Sequence, residues 1–311
     1  HPELKQAEWY KEKMKCATPA DGLKRLLRKG EVEKICRDTH REKLTSIRCN
    51  LDKATKEQII ESLQKQEITV REVPYLDYAL EIGDYNYMKA VDAFKKGWFQ
   101  VQDVSSMLVA ETAAPRWGDY CIDVCAAPGG KSLHLADMLK GSGFVEARDL
   151  TDYKVRLMQE NIDRIGNINM SARMMDATVF DPESVEKADI LLADVPCSGL
   201  GVIGRKADIK YKMTPAKQAE IVKLQRKILD TVQSYVKKGG VLVYSTCTIA
   251  PAENQYNIKW FLENYPFRLE SIDPYLCDEL KGKTTRAGYL QLLPGVNKSD
   301  GFFIARLKRI D

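Results

Sequence analysis

Histidine is scarce in this chain: three in 311 residues, at positions 1, 40 and 134. The eight cysteines form no C-x-x-C pair and do not cluster with the histidines, so no metal site is expected. No apolar run approaches the roughly 18 residues that a membrane-crossing helix needs. There is no internal repeat and no low-complexity tract. A chain of this length with 44% hydrophobic residues builds its core without a disulfide framework, so reduced thiols in a cytoplasmic protein are expected. Excess charge is small as well: 48 Lys+Arg against 44 Asp+Glu give a formal net charge of +4. That excludes a uniformly basic nucleic-acid coat, but the sum hides a split. Residues 1–50 hold 13 basic and 8 acidic residues, a net of +5, and residues 51–311 hold the remaining 35 and 36, a net of −1. A start at His1 and not at Met implies a fragment or a processed product.

What is present reads as three stretches. Residues 1–45 read as polar helix, with Leu23, Leu26, Leu27, Val32 and Ile35 as a broken apolar stripe. Lys24, Arg25, Arg28 and Lys29 within it read either as an RNA contact or as a solvated helix face. Thr45–Asn50 reads as a strand, Lys56–Gln66 as an amphipathic helix, Ile68–Val73 as an alternating strand and Tyr78–Ile82 as another. Together they suggest a small α/β unit over about residues 41–97. Beyond it, strands and helices alternate, the signal for a mainly parallel, doubly wound sheet. Strands are expected at Tyr120–Val124, Gly143–Arg148, Asn169–Met174, Ile190–Ala193, Val241–Ser245 and Gly301–Leu307. Helices are expected at Lys131–Leu139, Asp152–Ile165, Pro215–Val236 and Ala252–Asn264. In such a sheet, ligands sit beyond the carboxyl ends of the strands.

The first strand runs into Cys125-Ala126-Ala127-Pro128-Gly129-Gly130-Lys131, then opens a helix. A phosphate-binding P-loop would need glycine where Cys125 stands, and no G-x-G-x-x-G is present. A glycine turn without a full phosphate cradle suits a nucleoside cofactor without a phosphate chain, such as S-adenosyl-L-methionine; a plain tight turn is the other reading. Asp149, at the second strand end, fits a ribose-binding carboxylate or a helix cap. Asp176, after the third, fits an adenine contact or a turn cap.

Strand four ends in Asp194-Val-Pro-Cys197-Ser-Gly and strand five in Ser245-Thr-Cys247-Thr. Lone cysteines are most often small buried hydrophobes, the reading given to Cys16, Cys36, Cys49, Cys121 and Cys277. Two at ligand-facing strand ends suggest covalent chemistry. Cytosine C5 is a poor nucleophile until a thiolate adds to C6; C5 then attacks a sulfonium methyl, and loss of the C5 proton expels the thiolate. This needs an acidic group near N3 and N4, the part that suits Asp194. Residue chemistry alone leaves open whether Cys197 or Cys247 is the nucleophile, and no histidine lies in these segments to activate it.

CAAPGGK (125–131), DVPCSGLG (194–201), YSTCT (244–248) and VQDVSSMLVA (101–110) resemble, in order, the motifs of the RNA cytosine-C5 methyltransferases, the NOL1/NOP2/Sun family. The resemblance covers about residues 41–311 and is nearest to the bacterial 16S rRNA enzymes of the Sun/Fmu type. It implies a Rossmann-like, S-adenosylmethionine-dependent methyltransferase sheet over 98–311. Ahead of it would come an RNA-recognition-like α/β module over 41–97 and a basic helical linker over 1–40, with a missing RNA-binding domain upstream. It implies that Cys125, Ala126, Ala127, Pro128, Gly129, Gly130, Lys131, Asp149, Asp176 and Asp194 contact the cofactor. It makes Cys247 the nucleophile, Asp194 a contact to the target base, and Cys197 the group that assists product release. The implied partner is RNA, 16S rRNA before tRNA, for a monomer without membrane contact. RKADIKY (205–211), with Ala207 where the family has proline, and the charged stretch 16–44 depart from the pattern. A non-catalytic ribosome-assembly protein is the competing reading, but it would leave both thiols idle.

Overall fold

The computed structural model describes residues 31–38, 43–206 and 208–311. Leu23, Leu26, Leu27, the basic cluster Lys24–Lys29 and Ala207 lie outside them; of the N-terminal helix, α1 (Glu31–Asp38) is described. Next come β1 (Thr45–Cys49), α2 (Lys56–Gln64), β2 (Thr69–Glu72), β3 (Ala79–Gly83) and β4 (Phe99–Val101). A capping box starts α2: the Thr55 hydroxyl accepts from the Gln58 N–H, and the Gln58 side chain accepts from the Thr55 N–H. The strands form an antiparallel sheet in the order β2-β3-β1-β4. Ile47, Leu80, Ile82 and Phe99 on one face close over Ile59 and Leu63 of α2. The sheet thus extends to Val101, past residue 97. A three-residue strand is too short to show alternation, and only its pairing with β1 reveals it.

The remainder runs α3 (Val104–Ala113), β5 (Tyr120–Asp123), α4 (Gly130–Met138), β6 (Phe144–Asp149), α5 (Asp152–Ile165), β7 (Met170–Met174) and β8 (Ala188–Asp194). It continues as α6 (Pro215–Val232), β9 (Val236–Thr246), α7 (Gln255–Asn264), β10 (Phe267–Leu269), β11 (Tyr289–Leu292) and β12 (Phe302–Arg309). The large sheet has the order β10-β12-β9-β8-β5-β6-β7, with β11 on the other half of β12. Strands β5 to β9 are mutually parallel and β12 is antiparallel to β9. Helices α3, α4 and α5 pack on one face and α6 and α7 on the other. This is a three-layer, Rossmann-like architecture. Helix α5 shows why the pattern was readable: Met158, Ile162 and Ile165 recur at helical spacing on its buried side. Helix α6 stops short of the expected Val236, because Val236 already pairs with Ala188 at the start of β8. The ladder then jumps to Ile190–Val241, and Gly239, at φ 72°, lets the extra residues bulge out. No helix among the described residues is long and apolar enough to cross a membrane.

Two arginines, Arg48 buried and Arg164 half-buried, fasten the small sheet to the large one. Arg48 of β1 donates from Nε to Gln102 at 2.9 Å and pairs with Asp137 of α4. Arg164 of α5 donates to the carbonyls of Phe94 and Phe99 at 3.0 and 3.1 Å and lies 3.9 Å over the Phe94 ring. Val73, Tyr75 and Ala79 of the small module join the core of the large sheet directly. The two units therefore unfold together. Arg48→Ala, which removes a buried guanidinium and leaves the half-buried Asp137 to Asn167 alone, should cost about 3 kcal/mol, read as a lower urea midpoint of one cooperative transition. Two separate transitions in the native protein would contradict that coupling.

Candidate functional site

Strands β5 and β8 are neighbours from which successive strands run outward in opposite directions, the switch point that leaves a crevice at the carboxyl edge. Asp123 ends β5 fully buried. Its carboxylate accepts from the Ser132 hydroxyl at 2.6 Å and from the Cys125 N–H at 3.3 Å. Burial dominates and pushes this carboxyl up to about 7, against the Ser132 hydrogen bond. The 125–131 loop then folds back. The Ala126 N–H donates to the Arg148 carbonyl, the Ala127 N–H donates to Asp149 at 2.9 Å, and the Ala127–Pro128 bond is cis. Gly129 precedes α4 at φ 101°; a Cβ there would meet Met158 only at 3.5 Å, so conformation and not space requires glycine.

Asp149 is buried at the end of β6 and also accepts from the Leu150 N–H at 2.7 Å and from Lys154 Nζ at 2.8 Å. Asp176 takes the Thr178 N–H and hydroxyl, both at 2.8 Å, on one oxygen, which holds its carboxyl below the usual value. It therefore caps its own turn, and its second oxygen is not part of that turn. Asp194 ends β8. It accepts from the Ser245 hydroxyl at 2.7 Å and pairs with Lys131 Nζ at 2.7 Å.

The two cysteines meet because of strand register. Asp194 lies opposite Ser245 in the parallel β8–β9 pair. Cys197 is three residues beyond the first and Cys247 two beyond the second, and their sulfurs lie 3.1 Å apart. Their surroundings differ. The hydrogen bond from Cys197 lowers the Cys247 thiol below its ordinary value; burial and Asp194 oppose this, while the Lys131 and Lys206 ammonium groups reinforce it. The same bond, with burial and the charge of Glu253, holds Cys197 well above its ordinary value. Cys247 is thus the member of the pair with the greater thiolate character. Burial would lower the Lys131 pKa, but Asp194, Asp123 and Cys247 hold it above normal, so it stays a buried cation. Cys125 is held well above its ordinary value, by burial and then by nearby carboxylates, and is an inert thiol. Cys49 and Cys121 are buried, and all six cysteines described are free.

Two parts of this arrangement were not read from the sequence. Lys131 was assigned to the cofactor loop, yet its ammonium lies on Asp194 beside the thiols. Glu253, fully buried, was not singled out at all. It accepts from the Ser198 N–H at 2.8 Å, Gln218 at 3.0 Å and Gln225 at 3.1 Å; Gln225 also holds the Pro196 carbonyl at 2.9 Å. Next to it, Asn254 bonds Thr246 and the Thr248 carbonyl, and the Ser198 and Thr248 hydroxyls join at 2.8 Å. Gly201 completes the clamp: a Cβ would lie 2.0 Å from the Gly301 carbonyl oxygen. The only hint in sequence was an acidic residue six positions after Cys247 in an otherwise apolar stretch.

The crevice suits a nucleoside with a positively charged sulfur and no phosphates. Asp149, Asp176 and Asp194 line the strand ends, and the loop presents no row of cations. The turn at Gly129 and Gly130 leaves the first N–H groups of α4 without partners inside the helix. The topology and this strand-end site define the S-adenosylmethionine-dependent methyltransferase fold, whose cofactor is S-adenosyl-L-methionine. The family model described as 16S rRNA methyltransferase RsmB/F matches residues 110–308. The chain belongs to that family. It is 36% identical over 281 residues to the probable ribosomal RNA small subunit methyltransferase B of Bacillus subtilis, covering 89% of this chain and 62% of that protein. It is 34% identical over 246 residues to ribosomal RNA small subunit methyltransferase B of an Escherichia coli strain, covering 78% and 54%. The chain thus spans less than two thirds of the length of these relatives. The crystal structure of PH0851 superposes with a TM-score of 0.86 at 29% identity, over 97% of this chain and 67% of that one. NSun6 from Pyrococcus horikoshii, solved with SFG, has the same fold, with a TM-score of 0.79 at 23% identity over 98% of both chains.

Two stability experiments test this reading. The folded-state pKa of Asp123 lies above the ordinary 3.8, so the folded chain keeps a proton that the unfolded chain loses. Its contribution is full below about pH 4 and is lost as pH rises towards 7, with a slope of up to about 1.4 kcal/mol per pH unit. Asp123→Asn should flatten Tm against pH in that window; an unchanged slope would reassign the effect to other groups. Glu253→Ala leaves three buried N–H donors unpaired and should lower stability by roughly 3 kcal/mol or more in urea titrations.

Proposed function

We propose that this protein transfers a methyl group from S-adenosyl-L-methionine to C5 of a cytosine in RNA, 16S rRNA, through a covalent bond between Cys247 and C6. The observation that carries the reading is the pair of sulfurs 3.1 Å apart at the rim of a methyltransferase sheet, in surroundings that lower one thiol and raise the other. Membership of the RsmB/F family and the names of its rRNA-modifying relatives support the substrate class. When bound, the cofactor supplies an electrophilic methyl group on sulfur.

The chain's own groups then act in order. Cys247 adds to C6 as a thiolate, and the C5–C6 electron pair becomes available at C5 for the methyl group. Asp194, held by Lys131 and Ser245, offers a carboxylate as acceptor for the cytosine N4 amino group. Transfer of the C5 proton to a water molecule restores the C5–C6 double bond and expels Cys247 as thiolate. Cys197 belongs to this second half: once Cys247 is a thioether, Cys197 loses its anionic partner and is free to assist release. Cys125 to Lys131, Asp149, Asp176 and Asp194 form the cofactor crevice. Selectivity then rests on one pocket for an extruded base, so a net charge near zero in the large domain is no obstacle.

Cys247→Ala should lower methyl transfer by a factor of roughly 10³ or more, measured with labelled cofactor. Cys197→Ala should accumulate a protein–RNA adduct that survives denaturing electrophoresis. Substantial turnover by Cys247→Ala, or free enzyme alone with Cys197→Ala, would overturn the respective assignment. Mapping 5-methylcytosine in rRNA and tRNA, with and without the protein, identifies the substrate RNA.

A further inference from the structure

Beside the crevice lies a second cavity of about 660 Å³, within the usual range for ligand sites. It opens between the small sheet, the start of α3, the segment at Arg205 and the loop 295–300. Most charges in its wall are already matched. Lys43 pairs with Asp38 and Asp300 at 2.8 and 2.6 Å, Arg205 pairs with Asp300 and Asp103 at 2.5 and 3.5 Å, and Glu72 pairs with Lys56 at 2.8 Å. Among the described residues, three wall groups are left over. Arg71 and Lys298 are exposed cations without an ion pair; the half-buried Glu81 lies opposite Arg71 in the β2–β3 register and feels its charge and that of Arg205, without an ion pair or hydrogen bond of its own. Burial raises the Glu81 carboxyl, opposed mainly by Arg205.

The cavity adjoins the reacting centre through one short segment. Gly201 donates to the Cys247 carbonyl at 3.1 Å and accepts from the Gly301 N–H at 2.9 Å. Four and five residues on, Arg205 lines the cavity while Lys206 acts on Cys247. A polymer with one unit at Cys247 would have its next unit within reach of this wall. Two cations without ion pairs and one carboxylate without a hydrogen bond suit a nucleotide: a phosphate for the cations, and a base amino or imino donor for the carboxylate.

We infer that this cavity seats an RNA nucleotide flanking the target cytosine, its phosphate on Arg71 and Lys298 and its donor edge on Glu81. The inference rests on the RNA methyltransferase reading above and adds where neighbouring sequence is read. The probe is a single-stranded RNA oligonucleotide carrying one cytosine between randomised flanks. Arg71→Ala with Lys298→Ala should raise Kd roughly three- to tenfold. It should also flatten log Kd against log salt by about 0.7, the slope of one neutralised phosphate on a single strand. Glu81→Ala should erase a base preference at one flanking position, lowering kcat/KM for the preferred base at least about tenfold and leaving the other bases unaffected. If the double variant methylates RNA with unchanged Kd and salt slope, or if Glu81→Ala keeps the native preference, the cavity assignment is overturned. If the native protein binds RNA and loses affinity in the double variant, yet forms no 5-methylcytosine, the methyl-transfer reading falls and the binding site stands.

Discussion

The buried carboxylate of Glu253 is the constraint on which the reacting centre depends. A charge in the core is tolerated only where donors surround it, and here they come from the Cys197 loop and from two glutamines of α6. Because Gln225 also holds the Pro196 carbonyl, the loop after β8 has no freedom to move away from α6. Asn254, the next residue, ties down the chain on both sides of Cys247. The two sulfurs are therefore held at contact distance by a polar network behind them, with no bond needed between them.

That network also separates the thiols electrostatically. The Glu253 carboxylate lies on the Cys197 side and raises that thiol; Lys131 and Lys206 lie on the Cys247 side and favour its thiolate. Among the described residues no histidine, the usual partner of a reactive cysteine, stands at the site, and His134 is buried among Tyr78 and Glu111 as a neutral core residue. A buried lysine replaces it. Lys131 remains charged because Asp194 and Asp123 flank it, so one ion pair serves both Cys247 and the carboxylate proposed for base recognition.

The small sheet gains its place from arginine. Arg48 and Arg164 turn a module with its own core into part of the larger body, and the face that does not pack on α2 looks across a cavity towards the reacting centre. The positive excess of residues 1–50 falls mostly outside the described residues. Within that stretch the described cations are Lys34, Arg37, Lys43 and Arg48; those proposed to meet RNA, Arg71 and Lys298, lie elsewhere.

Periodicity alone determined the parallel sheet and its helices, since runs such as Asp152–Ile165 bury one face at helical spacing whatever surrounds them. The motifs at 125–131, 194–201 and 244–248 determined the family, because each fills a strand end where backbone and side chains must approach a ligand. Local pattern did not show β4, the early end of α6 or the bulge at Gly239. These follow from pairing with strands more than 40 residues away in sequence. Nor did it show what the site residues do to one another. The spacing from Asp194 to Cys197 and from Ser245 to Cys247 was visible, but their contact needed the β8–β9 register. The roles of Lys131 and Glu253 needed burial as well, because a charge changes its neighbours strongly only where water is excluded, and exclusion of water is a property of the folded whole.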